Sequence, residues 1–228
     1  MKEEQDRLAE RVQRSSSGER FPVVTVSRSC ASGGSKIAEL LAQSLAVSCY
    51  GYTLLEGLGK QIAEDKYVHA WLDERLPSRS LFDWIHAISN DGVVTRVKLD
   101  WRLVKTILTI AEGGGVIIGH GAHLILDNNP QVFRVRIEGS LDLCAERMAR
   151  AQNMEMDEAR LLVVKVNKER DRYLESIHSM HPSKRNRTTY DLVLNSDGLD
   201  PHVAVEIIVY AMEKMGFYLP GSRSPQTL

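Results

Sequence analysis

The stretch VVTVSRSCASGGSKIAELLAQSLA, Val23 to Ala46, has the layout of an anion-binding turn: an apolar strand, small residues, then an amphipathic helix. On the phosphate-loop pattern G-x-x-x-x-G-K-[ST], Gly33 and Ser35 fit, whereas Arg28 stands at the first glycine and Gly34 at the lysine. Because Ser29, Ala31, Ser32, Gly33 and Gly34 are all small, their backbone N–H groups can turn inward as a nest for phosphate oxygens. Arg28 and Lys36 set two cations beside that nest, where they can supply the charge that the missing lysine does not. The competing reading is a tight strand–helix connection whose glycines serve packing. On the nest reading, Gly34→Val abolishes anion binding and changes folding little.

Two more stretches carry residues of the right type. In GVIIGHGAHLIL, Gly115 to Leu126, a buried strand runs into a turn with glycines on both sides of His120, so that side chain either hydrogen-bonds a ligand or caps the turn. His120 and His123 lie three apart, but without a nearby cysteine or carboxylate pair they make a poor metal site. In MDEARLLVVKVNKERDRYLESI, the residues Leu162, Val166, Arg170, Tyr173 and Ile177 follow helical spacing. Arg170 therefore interrupts an apolar stripe. It either snorkels outward or clamps phosphate oxygens bidentately. Arg172 lies off the stripe, solvated or assisting at the mouth of a cleft. The loop HPSKRNRTTY, with Lys184, Arg185 and Arg187, is a solvated turn or a mobile cationic flap.

The elements that must position these groups follow from hydropathy. Apolar runs from Val23, Val116, Val132 and Asp191 predict four buried strands, and a weaker one lies near Val47 to Tyr52. Helical patterns separate them, including Val97, Trp101, Val104, Leu108 and Ala111 before the Gly113-Gly114-Gly115 stop. Strands alternating with helices predict an α/β fold with a parallel sheet covered on both faces. Ligands then sit beyond the carboxyl ends of the strands, where the Arg28 to Ser35 turn and the turn after Gly119 both fall. Residues 53–95, broken by Pro77 and Asn90-Asp91-Gly92, read as a helical insertion.

With 228 residues, 43% of them hydrophobic, the chain can bury the core of one domain. A net charge of -1 gives no global attraction to nucleic acid or membrane, so an anionic ligand needs local charge. The 3 cysteines are scattered, which suits reduced thiols in the cytoplasm better than a disulfide framework. The charged N-terminus has no signal-peptide run. Residues 1–20 read as an N-terminal extension with a short helix through Leu8 and Val12, residues 21–217 as the main domain, and residues 218–228 as a flexible tail.

Taken in order, these motifs resemble the cytidylate kinase-like family, a bacterial branch of the P-loop nucleoside monophosphate kinases. Its S-R-E-(F/Y)-G-S-G-G opening is matched by Ser27, Arg28, Ser32, Gly33 and Gly34, so the lysine-less loop is a family trait. Its G-R-G-A-(N/D)-(F/Y)-I-L turn is matched by Gly119, Gly121, Ala122, Ile125 and Leu126. Its arginine and tyrosine three apart on the long helix, followed by Y-D-L-V-(I/L)-N, correspond to Arg170, Tyr173 and the run Tyr190 to Asn195. The resemblance implies a three-layer P-loop NTPase fold with a five-stranded parallel sheet, the insertion at 53–95 binding the nucleoside monophosphate. It further implies transfer of the γ-phosphoryl of ATP to CMP or a related monophosphate, with Mg²⁺. Ser32, Gly33, Gly34 and Ser35 would cradle the phosphates, Ser35 would contact the metal, and Arg170 with Lys36 would stabilise the transferring group. Arg28, His120 and Arg172 would hold the acceptor. Three positions depart from the family pattern: Ala31 replaces a glycine, His120 an arginine and Gly51 an aspartate. They keep a second reading open, a non-catalytic nucleotide-binding sensor with a degenerate P-loop. The N-terminal extension is the candidate contact for a homodimer or protein partner.

Overall fold

The apolar runs pair into one sheet. In the computed structural model, which describes residues 2–16, 18, 20–51, 101–180 and 190–219, the strands are β1 (Val23–Arg28), β2 (Cys49–Tyr50), β3 (Gly115–Ile118), β4 (Val132–Glu138) and β5 (Leu192–Asn195). All neighbours are parallel, in the order β2-β3-β1-β4-β5. β1 sits in the middle, with Val23 to Val26 against Gly115 to Ile118 and Val23 to Arg28 against Val132 to Ile137. Buried on both faces, it is apolar with little alternation. The helices, in chain order, are α1 (Lys2–Ser16), α2 (Gly34–Ser44), α3 (Trp101–Gly113), α4 (Ala122–Ile125), α5 (Leu141–Gln152), α6 (Met156–Met180) and α7 (Pro201–Lys214).

α2 and α7 cover one face of the sheet, packing on Val24, Val26, Val116, Ile118, Phe133, Val135 and Ile137. α1, α3 and α4 cover the other, around Val23, Tyr50, Ile117 and Val132. This is the three-layer α/β arrangement with a five-stranded parallel sheet that the resemblance implied. Leu8 and Val12 turn the apolar stripe of α1 onto this second core, where Gly113 of α3 lets it approach: a Cβ there would come within 2.7 Å of Leu8. That stripe is therefore covered within the chain. α6 runs from a small cluster of Cys30, Cys144 and Val163 to Ile177 in the second core, so it crosses the loop after β1 on its way. Leu219 is buried with the first core. The rest of the expected tail, the insertion at 53–95 and the basic loop at 184–187 lie outside the described residues.

Candidate functional site

β1 ends on Arg28, and the chain then turns sharply into α2. Three N–H groups of the turn are already engaged: Ser29 donates to Ile137 O at 3.0 Å, Ser32 to Ser29 O at 3.3 Å, and Cys30 to Asn167 Oδ1 on α6 at 2.8 Å. The donors that open α2 begin at its N-cap, Gly33. It is left-handed (φ 78) and gives the helix no side-chain cap, so the first-turn N–H groups lack an intrahelical acceptor. Ala31 is also left-handed, at φ 57, in the place where the family has a glycine.

Ser32 is buried, and its Oγ reaches Ser29 O at 3.0 Å and Ile137 O at 3.3 Å. It braces the loop instead of facing a ligand. Gly34 corrects an expectation: a Cβ there would lie 2.7 Å from Arg28 Cβ and 3.1 Å from Ile137 Cβ, so this glycine is required by packing and Gly34→Val strains the fold itself. Gly33 has open space where a Cβ would stand.

Charge gathers above the strand ends. Arg28 Nε donates to Ser35 Oγ at 3.3 Å, and Arg170 Nη1 donates to the Arg28 carbonyl at 3.0 Å. Burial, and next the neighbouring Arg170 guanidinium, lower the Arg28 pKa to about 10. No carboxylate among the described residues forms an ion pair with either arginine. Gly119 follows β3 at φ 75, a left-handed conformation that favours glycine, and a Cβ there would meet Arg28 Nη1 at 2.6 Å and push the end of that guanidinium aside. His120 is itself left-handed (φ 55), and the Tyr173 hydroxyl points to its carbonyl at 3.5 Å, the long limit of a hydrogen bond. Burial raises the Tyr173 pKa to about 12.

These groups wall a cavity of about 410 Å³ lined by Arg28, His120, Arg136, Glu169, Arg170 and Tyr173 among others. The family model described as the cytidylate kinase-like family matches residues 23–198, a span that contains every one of them. The chain belongs to the cytidylate kinase-like family. Its fold is similar to the crystal structure of an uncharacterized protein from Eubacterium ventriosum, at TM-score 0.65 and 21% identity over 86% of this chain and 99% of that one. A shikimate kinase from Bacteroides thetaiotaomicron matches at TM-score 0.45 and 14% identity, over 86% and 98% of the two chains. The sequence has no match among curated proteins.

Of the residues singled out in this kinase-like sequence, Arg28, His120 and Arg170 meet in the cavity wall, and Ser35 joins them through Arg28. Lys36 and Arg172 are exposed and are not in that wall. Asp191 and Asn195 bond to backbone at either end of β5: Asp191 Oδ2 accepts from Arg134 N at 2.8 Å, and Asn195 Oδ1 from Asp197 N at 2.8 Å. Arg136 and Glu169 escaped the sequence reading. For Arg136 the signal was present, since a buried strand VFRVRIE with arginines two apart on one face is unusual.

The open N–H groups and the arginines fit a polyphosphate. Were Mg²⁺ to bind here, Ser35 Oγ would be its protein ligand: it is an exposed hydroxyl with a lone pair beyond the one facing Arg28, which would suffice for an ion held mainly by phosphate oxygens and water. Among the described residues, no helix is long and apolar enough to cross a membrane.

Proposed function

We propose that this kinase-like protein is a cytoplasmic nucleoside monophosphate kinase that transfers the γ-phosphoryl of ATP to CMP or a related monophosphate. The observation that carries this reading is the pair of guanidiniums, Arg28 and Arg170, side by side at a half-enclosed cavity with no ion-paired carboxylate among the described residues. Like charges held this close are costly unless an anion joins them. In the reaction, an acceptor phosphate oxygen bonds to the γ-phosphorus as the bond to the β–γ bridging oxygen breaks, and ADP leaves. The N–H groups from Gly33 onward orient the donor phosphates, Arg170 spreads the charge of the transferring group, and Arg28 with His120 holds the acceptor. Mg²⁺, when bound on Ser35, adds charge neutralisation. Residues 53–95 take the base and ribose of the acceptor.

ADP release measured against a panel of monophosphates tests the reading. Arg170→Leu should lower nucleotide affinity and turnover together by about tenfold to a hundredfold, the worth of one charge-assisted contact at about 1.5–3 kcal/mol. Without ligand its stability should stay within about 1 kcal/mol of the parent, since one hydrogen bond to Arg28 O is lost while the repulsion of Arg28 is relieved. Unaltered affinity and activity would remove Arg170 from the site.

One observation favours the second reading, a sensor that binds nucleotide without turnover: the loop's Cys30 N–H is spent on Asn167, leaving fewer donors for the transferring phosphate. A nucleotide-induced rise in melting temperature without ADP production would select it.

A further inference from the structure

Below the cavity, polar side chains from β1, α4, the approach to β5 and β4 touch in series. His123, on α4, is 3% exposed. Its Nδ1 lies 3.3 Å from Ser27 Oγ on β1, and its Nε2 lies 3.3 Å from the hydroxyl of Tyr190, just before β5. The imidazole and the Tyr190 ring are stacked at a tilt, centroids 4.9 Å apart. Over that same ring stands the Arg136 guanidinium at 5.8 Å, whose Nε donates to Glu138 Oε1 at 2.9 Å. Arg136 is in turn the ladder partner of Ser27, so the two side chains leave neighbouring strands on the same face, and both line the cavity.

Bonded at both ring nitrogens, the buried imidazole is satisfied, and a satisfied buried polar network holds its members in one arrangement. Here the fixed object is at hand. An arginine at a strand end is long and rotamer-rich, but with Glu138 on its Nε and Tyr190 beneath its plane, the terminal N–H edge of Arg136 is held in one orientation. We propose that Arg136 is a third anion-binding group of the cavity, serving a phosphomonoester dianion, and that His123, acting through Tyr190, is the positioning residue that aims it. The proposal rests on the reading of this cavity as a phosphate site. Preorganised in this way, Arg136 contributes to affinity without first losing side-chain freedom on binding.

Calorimetric titration of the full chain with CMP, and separately with inorganic pyrophosphate, tests it on the parent, Arg136→Met, Tyr190→Phe, His123→Gln and the two double variants that combine Arg136→Met with each of the others. Arg136→Met should weaken binding about tenfold, as for loss of one charge-assisted hydrogen bond. Tyr190→Phe and His123→Gln should each weaken it by roughly threefold or more, yet add no further loss on top of Arg136→Met, because residues acting through one partner are not additive. Tyr190→Phe keeps the stacked ring, so it preserves the test if His123→Gln fails to fold. Unchanged binding by Arg136→Met would overturn the anion contact, and equal losses in both backgrounds would overturn the positioning role. If Arg170→Leu weakens binding while Arg136→Met does not, only this inference fails. A parent that binds neither probe would sink it together with the phosphate-site reading.

Discussion

The two faces of the sheet are built on different physics. Towards α2 and α7, the strands present Val24, Val26, Val116, Ile118, Phe133, Val135 and Ile137, an unbroken apolar surface. Towards α1, α3 and α4, the same strands alternate apolar residues with Thr25, Ser27 and Arg134, all buried, and the helical layer adds buried His123. The first face needs only size and shape, since hydrophobic burial is non-directional. The second depends on direction, because a buried polar atom needs a partner at the right angle and distance; Thr25 Oγ1 is an exception, buried with no hydrogen-bond partner among the described residues. Arg134, 1% exposed, is the main case. Its guanidinium donates to Val132 O and Leu126 O at 2.7 Å and to Asp127 O and Asn129 O at 3.0 Å, and it lies 3.5 Å from Asp191. It thereby ties down the turn between α4 and β4, where Leu126 O and Asn129 O also accept from the N–H groups of Asn129 and Val132. The cavity grows from the directional face, where Ser27 and Arg136 continue the same polar row to the strand ends.

The comparison breaks most visibly at Arg134. Arg134→Met keeps about the same volume but removes the cation beside Asp191 and the donors to several carbonyls, so denaturant titration should show a loss of about 3–5 kcal/mol, as when one partner of a buried pair is removed. A loss below about 1 kcal/mol would mean that direction matters less on this face than the bonding implies. On the apolar side, Gly34→Val forces a branched side chain against Arg28 Cβ and Ile137 Cβ, and should cost about 1–3 kcal/mol from overpacking. A Gly34→Val chain as stable as the parent that fails to bind ATP would restore the view that this position answers only to phosphate. Ile208→Val on α7, fully buried among apolar neighbours, should cost only about 0.5–1.5 kcal/mol, with the melting temperature as readout.

The smallest effect concerns pH. Burial, with Glu39 nearby, pushes the Cys49 thiol up to about 11, whereas an unfolded cysteine ionises near its ordinary value. Between those values the unfolded chain has lost a proton that the folded chain keeps, so stability falls as pH rises from about 9 to about 11. The stability difference between the parent and Cys49→Ala should therefore stay constant below about pH 9 and shift in favour of Cys49→Ala between about 9 and 11. Parallel curves across the whole range would deny the thiol this role.

Local features were legible in the sequence because they are written in local periodicity. All four strong apolar runs and the weak one became strands, and the stripe through Arg170 is the inner side of α6. The Gly33 turn opens α2, although what its glycines do was divided: Gly33 supplies the left-handed cap, whereas Gly34 makes room between β1 and β4. Sequence could not separate those tasks, since both are glycines in one small-residue run and the second depends on Ile137, far away in the chain.

What the sequence determined by itself is thus the inventory of strands and helices, their alternation, and the family signature that implies a phosphate ligand. Only the tertiary structure decided which charges meet. Arg170 finds the Arg28 carbonyl across 142 residues, while Lys36 and Arg172, close to them in sequence, remain exposed outside the cavity wall. Arg134 and Arg136 show the reason most directly. They are two apart on one strand and share a face, so no periodicity distinguishes them, yet one ties down the α4–β4 turn inside the core and the other lines the cavity. The difference is their distance from the carboxyl edge of the sheet, and that edge exists only once β1, β4 and β5 have paired in register.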